Sequence, residues 1–349
     1  MKLLEPYRLG DLDLPNRVVM APMTRNRAVG QVQHPWAIEH YSVRAAAGLI
    51  LSESTQVSAR GQGAFDTPGL HTPEQTAAWK AVVDAVHAAQ GPGAGGRIMA
   101  QLGHAGRLSH SDYQGLPPVA PSAVLPAGFV RTPLGTKSYE EPYVPTAAEI
   151  PALVEEFAHA ARCARQAGFD GVELHGAHGF LLDQFLQSGT NQRSDAYGGS
   201  AKNRRRFALE VVEAVKGVWP AGRIGFTVSP GGNHKGIHDS DPVTTFTELA
   251  QALSAAGLGW LHVANLPLGE LFPSEFLRPV FRRTLIVSEG YTRESAELAV
   301  TQGNADLVAF GKAFTANADL VDKLRRGDSL ELADPKTFYA GGRTGYVGP

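Results

Sequence analysis

The sequence predicts one (β/α)8 TIM barrel spanning residues 1–349, with a long lid after strand 3 and a C-terminal extension. Three observations predict it. Eight short apolar runs recur along the chain, each followed by a helical pattern. The runs are apolar at nearly every position, as in a parallel sheet covered on both faces, and do not alternate. No glycine-rich dinucleotide fingerprint follows an early strand, which argues against an open, doubly wound sheet.

The elements follow in order. "RVVMAPM" (17–23) is the first strand and "HPWAIEHYSVRAAAG" (34–48) its helix. "LILSESTQV" (49–57) precedes the helix at 73–90, whose Thr-Pro start supplies a cap and a first-turn proline. "RIMAQLGHAGR" (97–107) leads through a Pro- and Gly-rich excursion to the helix at 146–168, which stops at a glycine. "GVELHG" (171–176) pairs with a helix over 201–219, and "RIGFTVSP" (223–230) with one over 242–257. "GWLHVAN" (259–265) precedes 274–283, "TLIVSEG" (284–290) precedes 292–303, and "DLVAFGK" (306–312) precedes 317–327. Residues 104–145 and 328–349 exceed ordinary loop length, and their aromatics Tyr113, Phe129, Tyr139, Tyr143, Phe338 and Tyr339 predict packed lids.

Composition narrows the function classes. A net charge of -2 offers no electrostatic case for nucleic acid or an anionic membrane surface. The N-terminus lacks the apolar run of a signal peptide, and no segment reaches the length of a membrane span, so the expected location is cytoplasmic. The single cysteine, Cys163, excludes an intrachain disulfide and lies in a helical pattern as a packed residue. The expected partner is a small molecule, with the chain a monomer or homodimer.

A barrel of this kind places its chemistry at the C-terminal ends of the strands. There the chain supplies Pro22, Met23 and Thr24 after strand 1, and Ser54 after strand 2. Strand 3 supplies Gln101, strand 4 His175 with His178 three residues on, and strand 5 Thr227. Glu289 and Gly290 follow strand 7, and Gly311 and Lys312 follow strand 8. Glycines beside a cation in the last two loops suit a phosphate, though tight turns explain the glycines equally well. Zinc in a catalytic site takes three protein ligands; the two histidines supply two, and strand 5 ends in threonine, so no metal is expected. The remaining readings of His175 and His178 are a structural pair, or two N–H donors aimed at one substrate oxygen.

With these residues in view, the chain resembles the Old Yellow Enzyme family of FMN-dependent ene reductases. "LPNRVVMAPMTR" (14–25), "PGLHTPEQTAAWK" (68–80), "QLGHAGR" (101–107), "GFDGVELHGAHGFLLDQFL" (168–186), "NQRSDAYGGS" (191–200), "GWLHVA" (259–264) and "DLVAFGKAFTANADLV" (306–321) carry the resemblance, in order and spacing, over nearly the whole chain. The resemblance implies FMN as cofactor and NAD(P)H as reductant. It implies that Thr24 bonds the flavin carbonyl near N5, that Gln101 bonds the pyrimidine edge, and that Pro22, Met23 and Ser54 line the ring. It implies that His175 and His178 hold the carbonyl oxygen of an α,β-unsaturated substrate, or a phenolic ligand. Gly290, Gly311 and Lys312 would hold the phosphate, and Phe65, Phe129 and Tyr339 would shape the substrate mouth.

Five positions depart from the family pattern. The tyrosine that gives a proton to the substrate α-carbon is Phe180. The strand 5 arginine beside N1 and O2 of the flavin is Thr227. Removing a charge from contact distance changes the local energy by about 4 kcal/mol at an effective dielectric near 20, so reduced FMN is harder to form unless another cation reaches that end. Around the phosphate, Glu289 stands among residues that are usually small and Lys312 replaces an arginine, keeping the charge without the bidentate fork. Gly103 stands where many relatives carry tryptophan, which predicts added room over the ring. The leading expectation is NAD(P)H-dependent reduction of an activated C=C bond. A redox-neutral isomerase, epimerase or cyclase on the same two histidines is the alternative, and a non-catalytic ligand-binding barrel the third reading.

Overall fold

The computed structural model describes residues 1–89, 95–340 and 342–347. Gln90, the last residue of the helix expected over 73–90, and residues 341, 348 and 349 of the C-terminal extension lie outside the described residues. Eight parallel strands form the barrel: β1 Val18–Met20, β2 Leu49–Leu51, β3 Ile98–Gly103, β4 Gly171–Gly176, β5 Ile224–Val228, β6 Trp260–Ala264, β7 Thr284–Ser288 and β8 Leu307–Phe310. Each pairs with the next in the chain; β8 closes on β1 through Phe310↔Met20, and β2 pairs with β3 through Ile50↔Ile98. Nearly every strand residue is buried, as the apolar runs require.

The outer ring consists of α1 Trp36–Ser42, α2 Pro73–His87, α3 Ile150–Ala167, α4 Arg206–Lys216, α5 Pro242–Ala255, α6 Pro273–Leu277, α7 Arg293–Thr301 and α8 Leu320–Arg326. Local chemistry sets their ends. Thr72 accepts the Gln75 N–H while Gln75 reaches back to the Thr72 N–H, a capping box that starts α2. Gly168, at φ 87, ends α3 in the left-handed conformation that glycine adopts without strain.

Three helices are shorter than the sequence pattern predicts; the one expected over 201–219 is divided into a turn at Ala201–Arg204 and α4 at Arg206–Lys216. Instead of running over 274–283, α6 ends at Leu277, because Pro279 has no N–H to continue the helical hydrogen bonds, although Arg278 before it keeps helical backbone angles. Instead of running over 34–48, α1 ends at Ser42, where the chain bends inward to bury Ala45 and Ala47. The bend brings Gly48 against Asn16, whose carbonyl oxygen would lie 2.1 Å from a Cβ there.

Two hairpins were not anticipated. Tyr7–Leu9 and Leu12–Leu14 form one whose leucines pack with Val19, Leu49, Met99, Trp260, Ile286 and Leu307 in a core cluster inside the barrel. Phe129–Thr132 and Gly135–Ser138 form the other, within the lid after β3. Arg107 fastens that lid, donating to the Val124 and Lys235 carbonyls at 3.0 and 3.1 Å. The expectation of packed aromatics fails at Phe129, Tyr339 and Tyr143, which are 65%, 54% and 41% exposed; the first two border the mouth of a cavity rather than the core.

The C-terminal segment returns to the residues after β1. Buried Arg25 donates to the carbonyls of Phe338 (3.1 Å) and Gly345 (2.6 Å), and Arg27 to those of Phe338, Thr337 and Gly342. Tyr346, fully buried, stacks on His40 at 4.1 Å and accepts a bond at its carbonyl from His40 Nδ1 at 2.7 Å. Among the described residues no helix is long and apolar enough to cross a membrane.

Candidate active site

One cavity of about 860 Å³ opens at the C-terminal ends of the strands. Its walls include Pro22, Met23, Thr24, Ser54, Phe65, Gln101, Gly103, Phe129, His175, His178, Phe180, Thr227, Glu289, Gly290, Gly311, Lys312 and Tyr339. All the candidate residues are therefore brought to one place. The volume lies within the range of small-molecule and cofactor pockets.

The histidine pair owes its arrangement to the turn after β4. His178 (φ 55) and Gly179 (φ 80) are both left-handed and reverse the chain within two residues. The turn is pinned from both sides. The His178 N–H donates to Ser229 Oγ at 2.8 Å, and the Gly179 N–H to Asp183 Oδ2 at 2.9 Å. The imidazole centroids are then 5.7 Å apart, and the His175 ring lies 4.2 Å from Phe180.

Burial, reinforced by His178, pushes the His175 pKa down to about 3. Burial also lowers His178, to about 4, although 40% of its side chain opens onto the cavity. Both rings are neutral at pH 7, so each has one N–H to donate. His175 Nδ1 is buried and has no partner among the described residues.

The rim after β7 and β8 has a different character. Glu289 (φ 80) and Gly290 (φ 74) are consecutive left-handed residues after β7, and space around Gly290 is open, with no atom within 4 Å of a Cβ built there. The Glu289 carboxylate turns towards His178, Oε1 lying 3.9 Å from Nε2. Gly311 is tightly packed: a Cβ would meet Met23 Sδ at 2.8 Å. The Lys312 ammonium has no partner among the described residues. A free cation, open backbone at Gly290 and Thr24 on the β1 side fit a phosphorylated flavin laid across the strand ends.

The added room expected at Gly103 is taken up in part. A Cβ there would meet Ser54 Oγ at 2.5 Å and Phe180 Cδ1 at 3.3 Å. Phe180 and Ser54 close in over the missing side chain.

Sequence reasoning missed the polar layer just below. Glu173, with no exposed surface, accepts from Gln101 Nε2 (2.9 Å), Thr227 Oγ1 (2.5 Å), His262 Nδ1 (3.2 Å) and Trp260 Nε1 (2.7 Å). Burial alone would raise its pKa; His262 and the other donors outweigh it and hold the carboxyl at about 2. The signal was present. Glu173 lies two residues before His175 on the same side of β4, and His262 interrupts an apolar run.

The sequence matches the NADH:flavin oxidoreductase / NADH oxidase family over residues 2–331. It is similar to 12-oxophytodienoate reductase 7 of Oryza sativa subsp. japonica, with 39% identity covering 97% of this chain and 91% of that protein. Its fold is similar to that of morphinone reductase solved in complex with tetrahydroNAD, with a TM-score of 0.93, 42% identity, and 99% and 96% of the two chains covered. It is also similar to an old yellow enzyme homologue from Zymomonas mobilis, with a TM-score of 0.95, 37% identity and 99% of each chain covered.

Proposed function

The chain belongs to the NADH:flavin oxidoreductase / NADH oxidase family, and from that premise we propose how its own residues carry out the reaction. It is an FMN-dependent oxidoreductase of Old Yellow Enzyme type that reduces the activated C=C bond of α,β-unsaturated carbonyl compounds with NAD(P)H. No observation favours the redox-neutral alternative. The reading takes residues 1–349 as one barrel domain, acting in the cytoplasm as a monomer or homodimer.

The chemistry that bound FMN supplies is hydride transfer from NAD(P)H to the substrate β-carbon. His175 and His178 hold the substrate carbonyl oxygen and stabilise the negative charge that develops on it. The observation that carries this role is the pair of neutral imidazoles, His175 and His178, on one cavity wall with ring centroids 5.7 Å apart. One such oxyanion donor is worth roughly 3–4 kcal/mol of barrier. Thr24 and Gln101 bond the ring edges, Pro22, Met23 and Ser54 flank the ring, and Gly290, Gly311 and Lys312 take the phosphate. Phe180 has no proton to give, so the α-carbon proton comes from water entering through the mouth between Phe65, Phe129 and Tyr339.

The test is the visible spectrum of the purified protein before and after added FMN, followed by NAD(P)H oxidation with a simple cyclic enone. A stoichiometric flavin band and enone-dependent NAD(P)H consumption are expected. A colourless protein that ignores FMN would overturn the cofactor assignment; substrate conversion without NAD(P)H would restore the redox-neutral alternative.

A further inference from the structure

The buried pair Glu173 and His262 has no part in the roles assigned above, yet His262 lines the cavity and is the register partner of Thr227. His262 Nδ1 is committed to Glu173 Oε1 at 3.2 Å, so Nε2 is the nitrogen left to change state. Nε2 lies 3.1 Å from Ser288 Oγ. A neutral ring accepts at Nε2 from that hydroxyl, and a protonated ring donates to it. The serine rotor satisfies both states without moving the backbone. Behind the ring, Glu173 is ionised and held by three further donors, so a counter-charge is already in place.

No permanent cation rises from β5, where the family pattern has arginine and this chain has Thr227. Two of the cavity's other cations are engaged at the mouth: Arg131 lies over the Phe65 ring at 5.3 Å, and Lys235 donates to the Phe129 carbonyl at 3.2 Å. Lys312 stands beyond β8. The titratable groups around His262 are Glu173 and His175 on β4, His178 in the loop after it, and Glu289 beside Ser288 after β7. Gln101, Thr227 and Trp260 are neutral.

We propose that His262 is a proton-activated cation that replaces the missing arginine at the pyrimidine end of the bound flavin. NAD(P)H gives N5 a hydride, which is two electrons and one proton, and negative charge accumulates towards N1 and O2. A second proton, from water, adds to His262 Nε2, and the Ser288 hydroxyl turns to accept it. When the hydride leaves N5 for the substrate β-carbon, that proton returns to solvent. Reduction then takes up two protons for two electrons, where a permanent arginine would require one.

This rests on the FMN reading of the cavity. It is tested by the midpoint potential of the FMN-loaded protein, equilibrated with a reference dye from about pH 7 to 9. One proton per two electrons changes the equilibrium tenfold per pH unit, about 30 mV; two protons change it a hundredfold, about 59 mV. The wild type is expected to follow the two-proton slope, and His262→Gln and Thr227→Arg the one-proton slope. A wild type that binds FMN and reduces enones with a one-proton slope overturns the proposal alone. So does a two-proton slope retained in His262→Gln, since the second proton then sits on the flavin. Failure to bind FMN overturns the proposal together with the reading beneath it. If His262→Gln does not fold, nitrogen-15 NMR of histidine-labelled wild type decides. Reduction should convert one imidazole to imidazolium, and an unchanged count of imidazolium rings would refute the assignment.

Discussion

Replacing His175 and His178 by alanine together removes the two donors proposed for a substrate oxygen. Phenols report on this pair directly, because a phenolate presents one anionic oxygen and undergoes no reduction. A hydrogen bond to a charged group contributes about 1.5–3 kcal/mol. His175 is only 5% exposed, so water replaces it poorly and its loss belongs at the upper end. His178 opens more widely onto the cavity and has Glu289 beside it, so water replaces it at lower cost. The sum is about 4 kcal/mol, or close to a thousandfold in Kd. The assay is titration of the FMN-loaded protein with a substituted phenol, followed by its long-wavelength charge-transfer absorption. His175→Ala should weaken binding more than His178→Ala. Both rings are already neutral well below pH 7, so phenol affinity between about pH 5 and 8 should follow ionisation of the phenol, with no inflection from either imidazole. A Kd within threefold of wild type in the double variant would refute the donor assignment.

Two further outcomes are expected. Glu289→Gly relieves a left-handed non-glycine residue, worth about 1–2 kcal/mol, against about 0.4–1 kcal/mol of added unfolded-state entropy. The urea midpoint should rise slightly; an unchanged or lower midpoint would show that the left-handed backbone at Glu289 carries no net strain. Asp183 is fully buried, and burial raises its pKa to about 7 from an ordinary 3.8, so it favours the folded state below about pH 4 and loses that contribution as pH rises through 7. Asp183→Asn should remove a loss of about 1.4 kcal/mol per pH unit across that window, read as the pH dependence of the urea midpoint difference between variant and wild type. Parallel pH profiles would mean that Asp183 does not titrate there.

The strand count, barrel closure and cavity walls were legible in the sequence for a physical reason. Continuous apolar runs such as "LVAF" demand burial on both faces, and the barrel rule then places every strand end on one rim. What was not legible depends on register. That Glu173, Thr227, Gln101 and His262 meet depends on the registers Gln101↔Glu173, Thr227↔His175 and Thr227↔His262, which adjacent strands fix only after closure. Single-strand reading sees Trp260 as one more apolar residue, whereas its indole N–H is a ligand of the buried carboxylate. The lid hairpin was hidden by its length, four residues a side in a Pro- and Gly-rich stretch. The direction of Glu289 was hidden as well, since a left-handed glutamate leaves no trace in composition.

The clasp of Arg25 and Arg27 on the C-terminal segment bears on when the cavity becomes complete during synthesis. Arg25 and the Gly345 carbonyl are 320 residues apart in sequence, so more than 300 further residues must be made before that guanidinium finds its partners. Until then β1 can join the growing barrel, but Tyr339 is missing from the cavity wall and two arginines meant for the interior remain in water. Cofactor capture is thereby tied to a late event in the life of the chain: a ribosome-bound barrel with every strand present would still hold its flavin in an unfinished cup.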